Sequence, residues 1–126
     1  MSVVRASMVL PILIALGACR LAMPLPTGVV LIDEKSLNRT IAVENVASSP
    51  TETGTQKVWA GIRNKTNARV AIEARAVFRG ERGEPIEPDA GWRQIFIEPQ
   101  STTAFEAMSM SRNARHFTVE IRAGNQ

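Results

Sequence analysis

Arg69-Val70-Ala71-Ile72-Glu73-Ala74-Arg75-Ala76-Val77-Phe78-Arg79 alternates almost without error. Val70, Ile72, Ala74, Ala76 and Phe78 point one way; Arg69, Glu73, Arg75 and Arg79 point the other. Successive side chains of a strand project to opposite faces, so this period of two predicts a half-buried antiparallel strand. Gly80-Glu81-Arg82-Gly83 follows it, with glycines that tolerate the positive φ of a turn.

The same period extends in both directions. Upstream, Val58, Ala60 and Ile62 alternate with Lys57, Trp59 and Arg63, and Asn64-Lys65-Thr66-Asn67 makes the connecting turn. Ile41, Val43 and Val46 mark an earlier strand. Downstream, Arg93, Ile95 and Ile97 alternate with Trp92, Gln94, Phe96 and Glu98, and Pro99-Gln100 ends the run. Ala104, Glu106, Met108 and Met110 face away from Thr103, Phe105 and Ala107. Phe117, Val119 and Ile121 close the set, opposite His116, Thr118, Glu120 and Arg122. Six or seven strands of this kind, separated by regular turn signals, predict an all-β domain over residues 40–126, an antiparallel sandwich or open barrel. No stretch carries a helical stripe, and Ser111 to Arg115 reads as a loop.

The first 18 residues have another character. Arg5 supplies a positive start, Met8 to Leu16 an apolar run broken only by Pro11, and Gly17-Ala18 small residues before Cys19, the single cysteine of the chain. This is the layout of a secretory signal peptide. The apolar run is about half of the ~20 residues that a membrane-spanning helix needs. Leu16-Gly17-Ala18-Cys19 resembles the bacterial lipobox, in which the cysteine thiol is acylated and the bond before it cut. That resemblance implies lipidation of Cys19, and it accounts for an odd cysteine in an oxidising compartment. Two or more acyl chains suffice for stable anchoring. Arg20 stands where an Asp would signal inner-membrane retention, so the expected location is the periplasmic face of the bacterial outer membrane. Residues 19–39 then read as the lipidated N-terminus and a tether. Pro24 and Pro26 favour extended backbone, Val29 to Ile32 is either a first strand or a docking segment, and Asp33 to Asn38 is a loop.

Composition narrows the function. The 126-residue chain has 15 basic and 12 acidic side chains. Removal of residues 1–18 takes only Arg5, leaving 14 basic against 12 acidic groups on 108 residues, enough for one small domain. With lysine only at positions 35, 57 and 65 and arginines scattered singly, the basic patch of a nucleic-acid binder is missing. No metal site or cofactor is expected, because metal coordination needs several convergent His, Cys, Asp or Glu side chains and the chain has one His, at 116. His116 reads as a surface or edge residue without a nucleophile-elbow motif. Glu84, Glu87 and Asp89 read as a solvated acidic loop interrupted by Pro85 and Pro88. No catalytic residue emerges, and the chain is expected not to be an enzyme. Two binding features remain. Trp59 and Trp92 are out of phase with the clearest apolar positions of their strands, as core or edge packing or, if exposed, as anchors for a protein partner. Met108 and Met110 are expected to fill the core.

From Ile41 to Arg122 the chain resembles the YcfL-like family of small bacterial periplasmic lipoproteins. The resemblance rests on Ile62-Arg63-Asn64-Lys65-Thr66 at a strand end and Ala76-Val77-Phe78-Arg79 entering a glycine turn. It continues in Gly91-Trp92-Arg93 opening a strand, and in Asn113-Ala114-Arg115-His116-Phe117-Thr118-Val119-Glu120-Ile121-Arg122 near the end. It implies an immunoglobulin-like β-sandwich attached to the outer membrane by its lipid, and it supplies no catalytic residues. The expected function is a non-enzymatic protein-interaction or envelope accessory domain with a membrane contact through Cys19 and an envelope protein as partner. The alternatives are a subunit of a secretion or conjugation complex, assembled through sheet edges, and a binder of a small ligand such as a glycan or peptidoglycan fragment. Trp59 and Trp92 exposed on one rim would favour that last reading.

Overall fold

The structure, a computed structural model, describes residues 28–125. The expected signal peptide, the lipidation site Cys19 and residues 20–27 of the expected tether lie outside the described residues. Seven strands and one short helix follow in the order β1 (Val29–Leu31), α1 (Glu34–Thr40), β2 (Ile41–Pro50), β3 (Gln56–Asn64), β4 (Val70–Arg79), β5 (Arg93–Ile97), β6 (Thr102–Met108) and β7 (His116–Ala123). They form two sheets, β1-β7-β4-β5 and β2-β3-β6. This is the expected small β-sandwich.

The alternation that predicts the strands also decides which side is dry. Val58, Ala60 and Ile62 of β3, Ile72, Ala74 and Ala76 of β4, Ile97 of β5, Phe105 of β6, and Val119 and Ile121 of β7 pack into one core. Each Ile, Val or Phe buried there contributes about 1.5–3 kcal/mol relative to an exposed side chain. Register agrees across the sheets: Ala74 opposes Ile121 and Ala76 opposes Val119, while Ala60 opposes Phe105. Small and large side chains thus meet across neighbouring strands. A slip of one residue would turn every apolar side chain of a strand to water. β3 pairs with the distant β6, and β4 with the distant β7. Those are the Greek-key pairings of an immunoglobulin-like sandwich.

Three features depart from the expectation. Of the two readings of Val29 to Ile32 the first strand is the one found: Val29 and Leu31 are buried, and Val29–Leu31 pairs with β7 from Val29↔Val119 to Leu31↔Ile121. The sandwich therefore takes in residues ahead of the expected boundary at 40. The pairing is parallel, so the sandwich is not antiparallel throughout. Asp33 to Asn38 is not a plain loop either, because most of it lies in α1. Leu37 is buried to 2% exposure and caps one end of the core. One apolar side chain in seven residues leaves no stripe to read, and burial of that residue supplies what helix propensity does not. Finally, β2 shifts register between Glu44 and Ala47, with Asn45 at φ 51°. This bulge puts Val46 against the core beside Val43. Gly61 faces Glu44 just before it; a Cβ on Gly61 would meet the Glu44 carbonyl oxygen at 3.1 Å.

The Asn64 turn is knotted by a buried amide. Asn64 is fully buried. Its Nδ2 donates to the carbonyls of Ala68 (2.7 Å), Ile97 (3.0 Å) and Glu98 (3.2 Å), and its Oδ1 accepts from Thr66 N (2.9 Å) and Thr66 Oγ1 (2.7 Å). One side chain thereby ties the end of β3 to the end of β5 in the other sheet.

Candidate functional site

The site begins with a mismatch in strand length. β5 pairs with β4 only from Val70↔Ile97 to Ala74↔Arg93, whereas β4 continues to Arg79. Beyond Ala74 the β5 side of β4 keeps only the Arg79↔Pro85 bridge. Beside that unpaired edge lies a groove of about 360 Å³, with buried Ala76 and Phe78 of β4 and half-buried Ala107 of β6 at its base. Pro88, Ala90, Met108 and Met110 complete its apolar lining, with Glu87, Asp89 and Arg93 at the rim. It adjoins a second hollow of about 270 Å³ along β6, lined by Lys57, Arg93, Glu106, Ala107 and Met108.

Local chemistry holds this groove in shape. The Glu87 carboxylate accepts from Met110 N (3.1 Å) and Ser111 N (3.2 Å), so the loop after β4 is pinned to the loop after β6. Buried Ser109 accepts from Gln56 N at 2.9 Å and donates to Ser111 O at 2.8 Å. The backbone around Met110 is fixed on both sides, yet the Met110 side chain is 73% exposed and Met108 57%. This corrects the expectation that they fill the core. Their positions on β6 and just past it face outward by alternation, and among the described residues no second layer covers them. An unbranched thioether chain adapts its shape to what it touches, which suits a surface that packs against a partner. Arg93 lies across the junction of the two hollows. Its Nη1 donates to Glu106 O at 2.8 Å, and its guanidinium sits 5.0 Å from the Phe105 ring centre.

The two tryptophans go elsewhere, and to opposite sides. Trp59 is on the outer face of the three-stranded sheet, 38% exposed, between Ala47 and Glu106 on the neighbouring strands. Trp92 is half-buried on the outer face of the four-stranded sheet. There its ring is stacked by Arg122 at 4.0 Å and Arg75 at 4.5 Å. Each arginine also bonds a carboxylate across β4 and β7, Arg122 Nε to Glu73 at 2.6 Å and Arg75 Nη2 to Glu120 at 3.2 Å. Trp92 is thus a clasp that fixes the entry of β5. No rim carries both tryptophans, and neither lines the groove. The residues that do line it, Met108, Met110, Ala76 and Phe78, escape sequence reading because their strand pattern does not show that β5 stops short. The one available signal is Met108 and Met110 in the polar phase of β6.

The remaining candidates are placed plainly. His116 is exposed, with Nε2 3.1 Å from Glu81 O. Glu84 accepts from Arg82 N at 2.8 Å. Among the described residues, no three His, Cys, Asp or Glu side chains come together as metal ligands, and no helix is long and apolar enough to cross a membrane.

Comparison with known proteins gives the following. A family model described as "Protein of unknown function (DUF1425)" matches residues 28–123. The fold is similar to the crystal structure of Campylobacter jejuni cj0090, at 14% identity and a TM-score of 0.62, covering 79% of this chain and 100% of that one. It is also similar to a DUF1425 family member from Shewanella sp. pv-4, at 15% identity and a TM-score of 0.61, covering 68% of this chain and 80% of that one. At these identities the likeness shows the fold alone. No curated protein matches the sequence significantly.

Proposed function

The chain belongs to the DUF1425 family, described as proteins of unknown function, and from that premise we propose that it is a non-enzymatic, lipid-anchored envelope protein that docks a protein partner. The observation that carries this reading is the groove at Met108 and Met110: fixed backbone, exposed apolar side chains and an unpaired strand edge in one place. Exposed apolar surface rimmed by charge is what a partner covers. The YcfL-like resemblance, the lipobox at Cys19 and the expected outer-membrane location support the anchored half of the proposal. Eight residues separate Cys19 from Gly28, a reach of at most about 28 Å at ~3.5 Å per residue. Gly28 enters beside Phe117 at the start of β7, and His116 there pairs with Arg79, from which the acidic loop departs. A lipid on Cys19 would hold the groove's end of the domain toward the membrane.

The glycan reading loses its basis, because it calls for Trp59 and Trp92 on one rim and they lie on opposite faces. Assembly through a sheet edge, as in a secretion or conjugation complex, keeps one favourable feature in the edge of β6, which is unpaired among the described residues.

Two measurements test the proposal. Palmitate labelling and membrane fractionation in a bacterial host should both be lost in Cys19→Ser; a variant that still fractionates with the membrane overturns the anchor. A photocrosslinking residue placed at Met110 in intact cells should capture a discrete protein, whereas one at Ser49 on the far edge should not. Equal capture from both positions, or none from Met110, overturns docking at the groove.

A further inference from the structure

We propose that β6 receives an extended segment of the partner as an added strand, whose alternate apolar side chains enter the groove and whose basic end lies against the acidic loop; this rests on the docking function above and specifies its mode.

The backbone of β6 sets the direction. Asn64 N donates to Ser101 O, and Ser109 N donates to Gln56 O, both at 2.8 Å. In an antiparallel pair these groups alternate sides, so Ser101, Thr103, Phe105, Ala107 and Ser109 turn their peptide groups toward β3. Those of Ala104, Glu106 and Met108 turn toward the open edge. Arg93 Nη1 on Glu106 O confirms that direction. Among the described residues it is also the one recorded bond to that edge. A single charged side chain laid on an otherwise open edge is how folded proteins discourage casual strand pairing. A matching strand replaces it with a ladder.

The groove gives such a strand somewhere to put its side chains. The hollows of about 270 and 360 Å³ run along the same edge, and between them their floor is Ala76, Phe78 and Ala107. A strand hydrogen-bonded to β6 projects every second side chain toward that floor. Main-chain bonds then supply affinity, and the depth of the groove selects the residues. Valine-sized side chains suit a floor made largely of alanines.

Charge identifies the end of the segment. The loop between β4 and β5 carries Glu81, Glu84, Glu87 and Asp89 against Arg82 alone, in a chain whose net charge is positive. Glu87 is committed to the amides of Met110 and Ser111 and Glu84 to the amide of Arg82, whereas Asp89, which also lines the groove, accepts no bond among the described residues. A lysine or arginine following the apolar stretch complements that rim.

The test uses the full-length protein in detergent micelles and a fluorescein-labelled peptide, Val-Thr-Val-Ser-Val-Thr-Val-Lys-Lys. Binding is read by anisotropy. Two further peptides carry N-methyl groups on one or the other set of alternate amides. Only one set faces β6 in an added strand, so one methylated peptide should bind about tenfold or more weakly and the other within about twofold of the parent. Replacing the two lysines by glutamates should also weaken binding about tenfold, with the difference shrinking in salt. Glu106→Pro, which removes an edge N–H, should bind at least about tenfold more weakly than Glu106→Ala, which keeps it. Equal affinities of the two methylated peptides overturn strand addition, as does failure of wild-type protein to bind any of them. Equal binding of the lysine and glutamate peptides overturns the basic end. Capture at Met110 in cells is unaffected by these failures if docking itself is right, so the two readings fail separately.

Discussion

At the Asn64 corner both polar atoms of a buried amide are bonded, and their partners come from the turn after β3 and from the end of β5. At the other end of β3 and β6, two exposed methionines stand beside an unpaired strand edge and the part of β4 that β5 does not pair. Both regions are made from the same two sheets and the same alternating sequence. The difference teaches where the domain is complete and where it is not. Where polar and apolar demands are met internally, a side chain serves the fold. Where they are left unmet on a rigid frame, something outside the domain can meet them. The Trp92 clasp belongs with the first kind, since both guanidiniums stack on its ring and each bonds a carboxylate, with Arg75 Nε the one buried atom of the group left without a partner among the described residues.

This contrast sets an order of expected effects. Asn64→Ala should cost the most stability, about 2–4 kcal/mol, because it leaves carbonyls at the ends of two strands without donors in a buried site. Urea unfolding measures it; a cost under about 1 kcal/mol would mean that water replaces the amide. Trp92→Ala comes next at about 1–3 kcal/mol, from lost area and two cation–π contacts. Its chemical shifts should change at Arg75, Arg122 and the 84–92 loop, and a variant with unaltered loop shifts would remove the clasp. Met108→Ser with Met110→Ser should move stability by no more than about 0.5 kcal/mol while abolishing capture from a crosslinker placed at Ala90, on the same groove. Loss of stability comparable to Trp92→Ala would place the methionines with the structural region and break the comparison. Glu106→Ala should change stability least, under about 0.5 kcal/mol, because its pair with Lys57 spans 3.9 Å between exposed side chains.

The legible part of the molecule is the part governed by period. Val70 to Phe78, Val58 to Ile62 and Phe117 to Ile121 show their strands and their buried faces directly, because a half-buried strand writes its environment on every second residue. The Asn64 turn is legible as a turn but not as a knot, since two of its carbonyl acceptors, Ile97 and Glu98, lie 33 and 34 residues away in sequence. α1 is illegible, because Leu37 is its single buried apolar side chain. The groove is illegible for a related reason. Nothing in Arg93 to Ile97 or in Val70 to Arg79 states that the shorter strand pairs with the first half of the longer one.

Sequence alone determines the strands, their inward faces and, through the stretch ending at Cys19, the expectation of export and lipidation. These depend on local alternation, turn chemistry and a short contiguous motif. Tertiary structure alone decides that β1 joins the sheet in parallel, that Trp59 and Trp92 part to opposite faces, and that Met108 and Met110 border an open groove. Each of those depends on which strand lies beside which and where it stops, and that is settled by packing between segments far apart in the chain.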